Sequence, residues 1–461
     1  MSFSAQANAS SLDLGTFLKI YSSNGVYNNL STASEVWKYF LKLRARGAEG
    51  RQLRYLLRTS YGPGAVQSVP VSEGNYPRAQ RSGLSEATAQ YKDYALTVSV
   101  PRSLIGKTGN DLVQYADPLT EELDAKAIAA ARVMSAQCIG DGTGAIGIAN
   151  AAPSVSTAND TITVTLNTAS SNAGRSHIGW FMEDDKIKFA TSAGVAHATI
   201  NNTATPVDYW KVTAQDADAN TVTLKPYTSA DAAIDITTAT LGATDPSSGD
   251  YMYRYGTTAN DYSGSVSDYG AASECLAGLE SLAAEDGRVL HGLTMTGAIS
   301  GSWKDCNAEA IDSSHFQNAL SKAKRRTGKG RYKYRQAFMF DTVYDALVES
   351  RETDRRFTSM EDSKRGVKML GYQHGADFVE FVPDEFIQKS RIWILPESKD
   401  VLEMHGKDFE VVEPNKGQKF HLANASSGQG HSRTNLSYME GSAVVVAKHP
   451  AAIVALRNFT V

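Results

Sequence analysis

The strongest periodic pattern lies between Asp117 and Gly144. Leu119, Leu123, Ala127, Ala130, Met134 and Cys138 recur at steps of three and four, one apolar stripe along a helix. Asp117 is a good N-cap, and Pro118 stands at the first helical position, where its missing amide costs nothing. Gly140-Asp141-Gly142-Thr143-Gly144 ends the stripe, with a glycine free to take the left-handed cap. A shorter helical pattern, Val36, Phe40 and Leu43, follows Thr32-Ala33-Ser34-Glu35, which reads as a capping box; Gly47 stops it. Arg44, Arg46, Arg51, Arg54 and Arg58 follow as solvated charges on a helix or arm.

Period-two patterns mark the extended parts. After the breaker cluster Tyr61-Gly62-Pro63-Gly64, residues 66–71 start a strand that Pro70 demotes to an edge, and residues 95–100 alternate as a half-buried strand. Joined near Arg81-Ser82-Gly83, the two arms predict a hairpin over residues 61–100. At roughly 3.3 Å per residue it reaches at most about 60 Å, against a radius of gyration of roughly 23 Å for a compact chain this long. So long a ribbon, with few large apolar residues in its middle, needs a surface supplied by another molecule.

Residues 151–262 are rich in Thr, Ala, Asn and Asp, and alternate over 161–166, 186–190, 210–214 and 221–224. They carry six basic and twelve acidic residues and predict an inserted antiparallel β-rich domain, a small barrel or sandwich. From Ser263 onward helices and strands alternate. Helices are expected at 271–284 and 342–351, strands at 337–340, 391–396 and 441–446, and a closing apolar segment at 450–456.

Composition narrows the class. The chain has 461 residues, two or three domains' worth. With 42% hydrophobic and 21% charged residues it is globular. Its net charge of −4 argues against coating nucleic acid over its whole surface. No apolar run reaches the roughly 18 residues of a membrane helix, and the first residues lack a secretory pattern. Cys138, Cys275 and Cys306, widely spaced and odd in number, fit small buried thiols in a reducing compartment.

Candidate chemistry is sparse. The 140–144 glycines close a helix where a phosphate loop would open one. Asp216-Ala217-Asp218-Ala219-Asn220 resembles a calcium loop but has Thr221 where the sharp turn wants glycine and Tyr227 where a bidentate Glu belongs, so a turn is expected. Histidines are scattered and no nucleophile elbow occurs, so no catalytic residue, metal site or cofactor is assigned. The basic run Lys322, Lys324, Arg325, Arg326, Lys329, Arg331, Lys333 and Arg335, interleaved with Tyr332 and Tyr334, reads as a solvated loop, a phosphate-facing patch or an inter-subunit salt-bridge surface. Of the last two, the nearly neutral total favours the inter-subunit surface.

This order of elements resembles the major capsid proteins of tailed bacteriophages with the Hong Kong 97 (HK97) fold: an arm with a helix, a long hairpin, Val98-Ser99-Val100-Pro101-Arg102-Ser103-Leu104, a long helix ending in the 140–144 glycines, and a terminal Ala443-Val444-Val445-Val446-Ala447-Lys448-His449-Pro450-Ala451. Leu370-Gly371 before 391–396 is a looser match. The resemblance covers 30–150 and 263–461 and implies an α+β capsid fold. Its parts would be an N-terminal arm (1–60), an E-loop hairpin (61–100), a peripheral domain with spine helix (101–150), the β-rich insertion (151–262), an axial domain (263–440) and a closing strand of the peripheral domain (441–461). It implies a non-enzymatic protein that self-assembles as pentamers and hexamers of an icosahedral head around double-stranded DNA. A separate scaffolding protein, a portal and a decoration protein are implied partners, with the virion as location and assembly in the host cytoplasm. Candidate assembly residues are Arg44, Arg51, Arg54, Arg58, Arg78, Arg81, Lys92, Lys324, Arg325, Arg326, Lys329 and Arg331. They would face acidic patches such as Glu361-Asp362 or Asp384-Glu385 of a neighbour. The family's Lys–Asn cross-link is not carried over, because Lys92 has no specific Asn partner. An encapsulin-like compartment and a glycan-binding β-domain protein are the alternatives.

Overall fold

The structure is a computed structural model. It describes residues 34–45, 52–59, 83–101, 129–169 (except 131 and 157), 174–190, 200–201, 206–228 (except 208), 232–234, 246–254, 268–269, 275–352 (except 298, 329 and 330), 360–361, 368–411 (except 370 and 376), 421–424 and 431–460. The chain divides into two compact units. One gathers 1–49, 91–138 and 404–444, and the other 50–90, 139–403 and 445–461.

In the larger unit, β1 (Gln52–Arg58) and β2 (Leu84–Gln90) pair antiparallel as a two-stranded ribbon, from Gln52 opposite Gln90 to Arg58 opposite Leu84. Arg54 and Arg58 therefore stand on a strand rather than on a helix or arm, with their side chains exposed, while Arg46 and Arg51 lie outside the described residues. Leu53, Tyr55 and Leu57 alternate with Gln52, Arg54 and Arg58, and that period of two prevails. The expected strand at 66–71 and the hairpin tip lie outside the described residues.

Seven strands follow in one antiparallel sheet, ordered Gly147–Ile148, Tyr251–Arg254, Lys186–Ala190, Tyr209–Asp216, Thr221–Tyr227, Thr161–Thr165 and Ser154–Ser156. The first edge returns to the sixth strand. The Asn150 amide donates to Thr165 O at 2.8 Å and the Asn167 amide to Ile148 O at 2.7 Å, so the sheet closes into a small barrel. Along Thr221–Tyr227 buried and half-buried residues alternate without a break, with Val222 and Leu224 inside.

A six-stranded mixed sheet carries the second core of this unit, ordered Ser302–Asp305, Val454–Arg457, Arg391–Pro396, Tyr334–Met339, Asp377–Pro383 and Gly371–His374. All six residues of Arg391–Pro396 are buried, as suits a central strand. Helix Ser313–Thr327 lays Phe316, Ala319, Leu320 and Ala323 on this core. Asp312 caps it by accepting from the Ser314 and His315 amides at 2.9 and 3.0 Å. The basic run is thus the last turns of a helix, a short connection and a strand, rather than a loop. The helix expected at 271–284 is a single turn, Leu279–Leu282, among the described residues; Gly278 stands at its N-cap with extended backbone.

In the smaller unit, helix Glu35–Lys42 buries Val36, Trp37, Tyr39 and Phe40. Its cap is Ser34, whose hydroxyl accepts from the Trp37 amide at 3.4 Å; Glu35 is already helical, and Thr32 of the expected capping box lies outside the described residues. Strand β3 (Lys92–Pro101) runs antiparallel to the 17-residue strand His431–Ala447, from Lys92 opposite Ala443 to Pro101 opposite Thr434. The second arm of the expected hairpin thus ends at β2, and residues 92–101 belong to a different sheet. Of the long helix, residues 129–130 and 132–139 are described and helical; the cap at Asp117 lies outside. Tyr94 donates to Gln137 Oε1 at 2.9 Å and ties β3 to it. Gly406 lies so close to the long strand that a Cβ would sit 2.0 Å from Ser442 O.

Directional polar contacts join the barrel to the six-stranded sheet. Trp180 Nε1–H donates to Phe386 O at 2.9 Å and His177 Nε2–H to Glu385 O at 2.8 Å. Arg391 of the sheet, buried, also grips Glu280 of the single-turn helix through two contacts of 2.9 and 3.2 Å. Asp141, in the glycine cluster, accepts from Thr143 and pairs with buried Arg175, which makes those glycines a structural turn.

Two outcomes follow. Burial, aided by the charge of Lys389, lowers the His177 pKa from 6.5 to about 4 despite its carbonyl partner. The unfolded chain therefore takes up a proton between pH 6.5 and 4 that the folded chain refuses. Stability is fully present above pH 6.5 and falls by about 3 kcal/mol as pH drops to 4. Urea unfolding at pH 7 and pH 4.5 should show that loss, and His177→Gln should make the slope shallower by that contribution. Glu280→Ala leaves a buried guanidinium without its carboxylate and should cost about 3–5 kcal/mol in the same measurement.

Candidate assembly surface

The ribbon β1–β2 has two unlike faces. Tyr55, Leu57, Ala87 and Ala89 point inward and are buried. Their anchor is the turn between strands Val289–Leu290 and Leu293–Thr294, where His291 (φ +51°) and Gly292 (φ +77°) both adopt left-handed backbone. The Tyr55 hydroxyl meets His291 Nδ1 at 2.8 Å, and the Thr88 amide donates to His291 O at 3.1 Å. One turn thus holds both strands of the ribbon.

The outer face carries Arg54, Leu56 and Arg58 on one strand and Leu84, Glu86 and Thr88 on the other. Leu56 is 63% exposed and Leu84 55% exposed. Leu56 faces Glu86 and Arg58 faces Leu84, so the two leucines are diagonal neighbours. Arg54 and Glu86 approach to 3.4 Å, but both are exposed and the pair contributes little. The result is a small apolar patch with a charged rim on a sheet that has two strands among the described residues.

The described residues expected at assembly contacts are distributed over several elements of both units. Arg54 and Arg58 lie on the ribbon's outer face. Arg51, Arg78, Arg81 and Lys329 lie outside the described residues. Arg44, in the smaller unit, donates to Gly406 O at 3.0 Å. Lys92 is buried where β3 meets the long strand, so it offers no accessible amine. Of the basic run, Lys324 pairs with Asp377 at 2.8 Å and Arg325 donates to Ser321 O at 3.2 Å. Arg326 donates to the carbonyls of Gly297, Ser300 and Gly301. Arg335 pairs with Glu397 at 3.1 Å. Arg331 remains exposed, beside the Tyr332 ring and His449.

One grouping imitates a catalytic triad: Ser321 Oγ lies 3.2 Å from His374 Nε2, and Lys324 Nζ lies 3.0 Å from Nδ1. The lysine ammonium is a donor only, so Nδ1 accepts and Nε2 carries the proton. That tautomer donates to Ser321 and has no lone pair to take its proton, so the serine is not activated. At the expected turn, Asp216 Oδ1 accepts from the Asp218 and Ala219 amides at 2.9 and 3.0 Å, an Asx turn in place of a calcium loop.

Tyr55, Leu56, Leu84 and His291 escape the sequence reading. A signal was available: Leu53, Tyr55 and Leu57 alternate inside the arginine run, and His291-Gly292 stands between two apolar pairs as a hairpin turn would.

Neither a protein-family model nor a curated protein matches the chain. Among solved structures, the chain is similar to the capsid asymmetric unit of cyanophage A-1(L), with 9% identity, 92% of each chain covered and a TM-score of 0.43. It is also similar to the capsid of the native GTA particle, with 9% identity, 92% of this chain and 90% of that one covered and a TM-score of 0.42. Mycobacterium phage Patience follows at 8% identity, with 99% and 91% covered and a TM-score of 0.38. These likenesses lie below a TM-score of 0.5; the first two are to capsid structures.

Proposed function

We propose that this chain is the major shell-forming subunit of a tailed-phage head, a structural protein that assembles with copies of itself as pentamers and hexamers around double-stranded DNA. The observation that carries the reading is the outer face of β1–β2: exposed Leu56 and Leu84 with a charged rim, on a ribbon whose other face is pinned by Tyr55 and His291. A two-stranded ribbon is marginal by itself, and an apolar patch on it is stabilised when a neighbour covers it. In this reading the E-loop is rooted at β1 and β2 rather than at Tyr61, and residues 132–139 belong to the spine helix. The barrel is the β-rich insertion, and the six-stranded sheet forms most of the axial domain. Scaffolding, portal and decoration proteins are the expected helpers, and the virion is the expected location. Among the described residues no helix is long and apolar enough to cross a membrane. The glycan-binding alternative draws no support from Trp180, Tyr209, Trp210 and Tyr253 of this region, which are buried.

Negative-stain microscopy of the purified protein, alone and with a scaffold, should show uniform hollow particles. Leu56→Glu combined with Leu84→Glu should leave the subunit folded, within about 0.5 kcal/mol for changes at an exposed face, while particle yield collapses. Normal particles from the double variant would remove the ribbon from the proposal.

A further inference from the structure

Beside the foot of the ribbon lies a recess of about 290 Å3, lined by Arg58, Arg326, Arg331, Lys448 and His449 over the buried Tyr332 ring. Four cations arrive from four separate stretches of chain: the end of β1, the end of helix Ser313–Thr327, the connection after it, and the segment following the long strand. Among the described residues no carboxylate lines the recess. Lys448 is paired with Glu403 outside it. Arg326 is held by carbonyl and hydroxyl oxygens around Gly297–Ser302, which fix its direction without neutralising it. More distant, Asp286 acts on Arg326 and Asp400 on His449. The His449 pKa is lowered by burial and by the charges of Arg331, Arg58 and Lys448, against the opposing pull of Asp400. A neutral His449 accepts from Arg331 at 3.4 Å. The recess is thus a concave, positive site roughly the size of one or two side chains, at the lower end of ligand pockets.

Arg58 belongs both to this recess and to the outer face of the ribbon, where it stands opposite Leu84. The cationic recess and the exposed leucines are therefore one continuous surface. A protein surface presenting a carboxylate next to apolar side chains satisfies both parts. A phosphate backbone satisfies only the cations and leaves Leu56 and Leu84 against charge. Each copy of the chain also brings exposed carboxylates of its own, among them Glu183, Asp216 and Asp218 in the β-rich region. We propose that the recess receives a carboxylate side chain presented by a second copy of this chain, as a charged lock at the foot of the ribbon; this rests on the shell-forming reading above.

The test uses the full chain and the variants Arg331→Glu and Arg331→Lys. In the parent, a short polyglutamate peptide should shift the His449 ring signals in NMR and raise the pH at which they titrate. Arg331→Glu should weaken that binding by roughly tenfold or more and abolish particles, with unchanged circular dichroism and thermal unfolding; Arg331→Lys should retain most of both. Raising salt should weaken the peptide binding. Particles from Arg331→Glu in parental yield would overturn the lock and leave the shell reading standing. A parent that forms no particles would sink the shell reading; the peptide titration would then judge the recess separately, no shift at His449 overturning it and a shift supporting an acidic protein ligand. Preferential binding of a short DNA duplex at His449, with the polyglutamate peptide inert, would overturn the proposal in favour of phosphate.

Discussion

A ribbon of two strands satisfies its backbone along one shared seam, and only one of its faces rests on the body that carries it. That constraint governs β1–β2. Tyr55, Leu57, Ala87 and Ala89 fill the inner face, His291 pins both strands, and no third strand pairs with the ribbon among the described residues. The outer leucines remain in water. Fully burying one such side chain is worth about 1.5–3 kcal/mol, less than the cost of immobilising two large molecules against each other. A single contact of this kind is therefore weak, and it becomes effective only when repeated around a closed ring, where each copy both gives and receives it. Weakness per contact and strength by closure is the energetic pattern a self-assembling shell requires.

Such a projection needs a platform that does not give way under it. In the larger unit the barrel and the six-stranded sheet meet through directional links rather than apolar contact alone. Trp180 and His177 donate to consecutive carbonyls at Phe386 and Glu385, and Lys389 reaches Ala217 O at 3.2 Å; Arg391 of the sheet also clasps Glu280 of the single-turn helix Leu279–Leu282. The Arg391 guanidinium also lies 5.2 Å from the centroid of the Trp303 ring. Buried ions are a poor source of net stability, because desolvation offsets most of their attraction. What they supply is position: a two-point contact between Arg391 and Glu280 fixes direction and distance, where oily surfaces tolerate sliding.

How much of this was legible in the sequence depended on whether neighbours in space were neighbours in the chain. The barrel strands announce themselves, since Thr161–Thr165, Lys186–Ala190 and Thr221–Tyr227 alternate and sit between turns. The strand Arg391–Pro396 was legible as an apolar run stopped by proline. Helix Ser313–Thr327 was not, because Lys322, Lys324, Arg325 and Arg326 drew attention from Phe316, Ala319, Leu320 and Ala323 beneath them. The same charge bias hid β1. Long-range pairing left no local trace: nothing in Ser302–Asp305 reveals that its parallel partner is Val454–Arg457. Lys92 looked like a hairpin lysine because its strand partner, Ala443, is far away in sequence.

The basic run shows why counting charges along a chain says little about the field they make. Lys324 is neutralised by Asp377 and Arg335 by Glu397, while Arg326 is turned inward onto carbonyls. Of the members whose side chains are described, Arg326 and Arg331 border the recess, and there they meet Arg58 and Lys448, which belong to no run at all. A surface field is set by where the fold places cations and carboxylates relative to one another. The run is what the sequence displays. The recess is what the fold assembles from it, and its position beside Leu84 is what makes a protein surface, rather than a phosphate backbone, its natural complement.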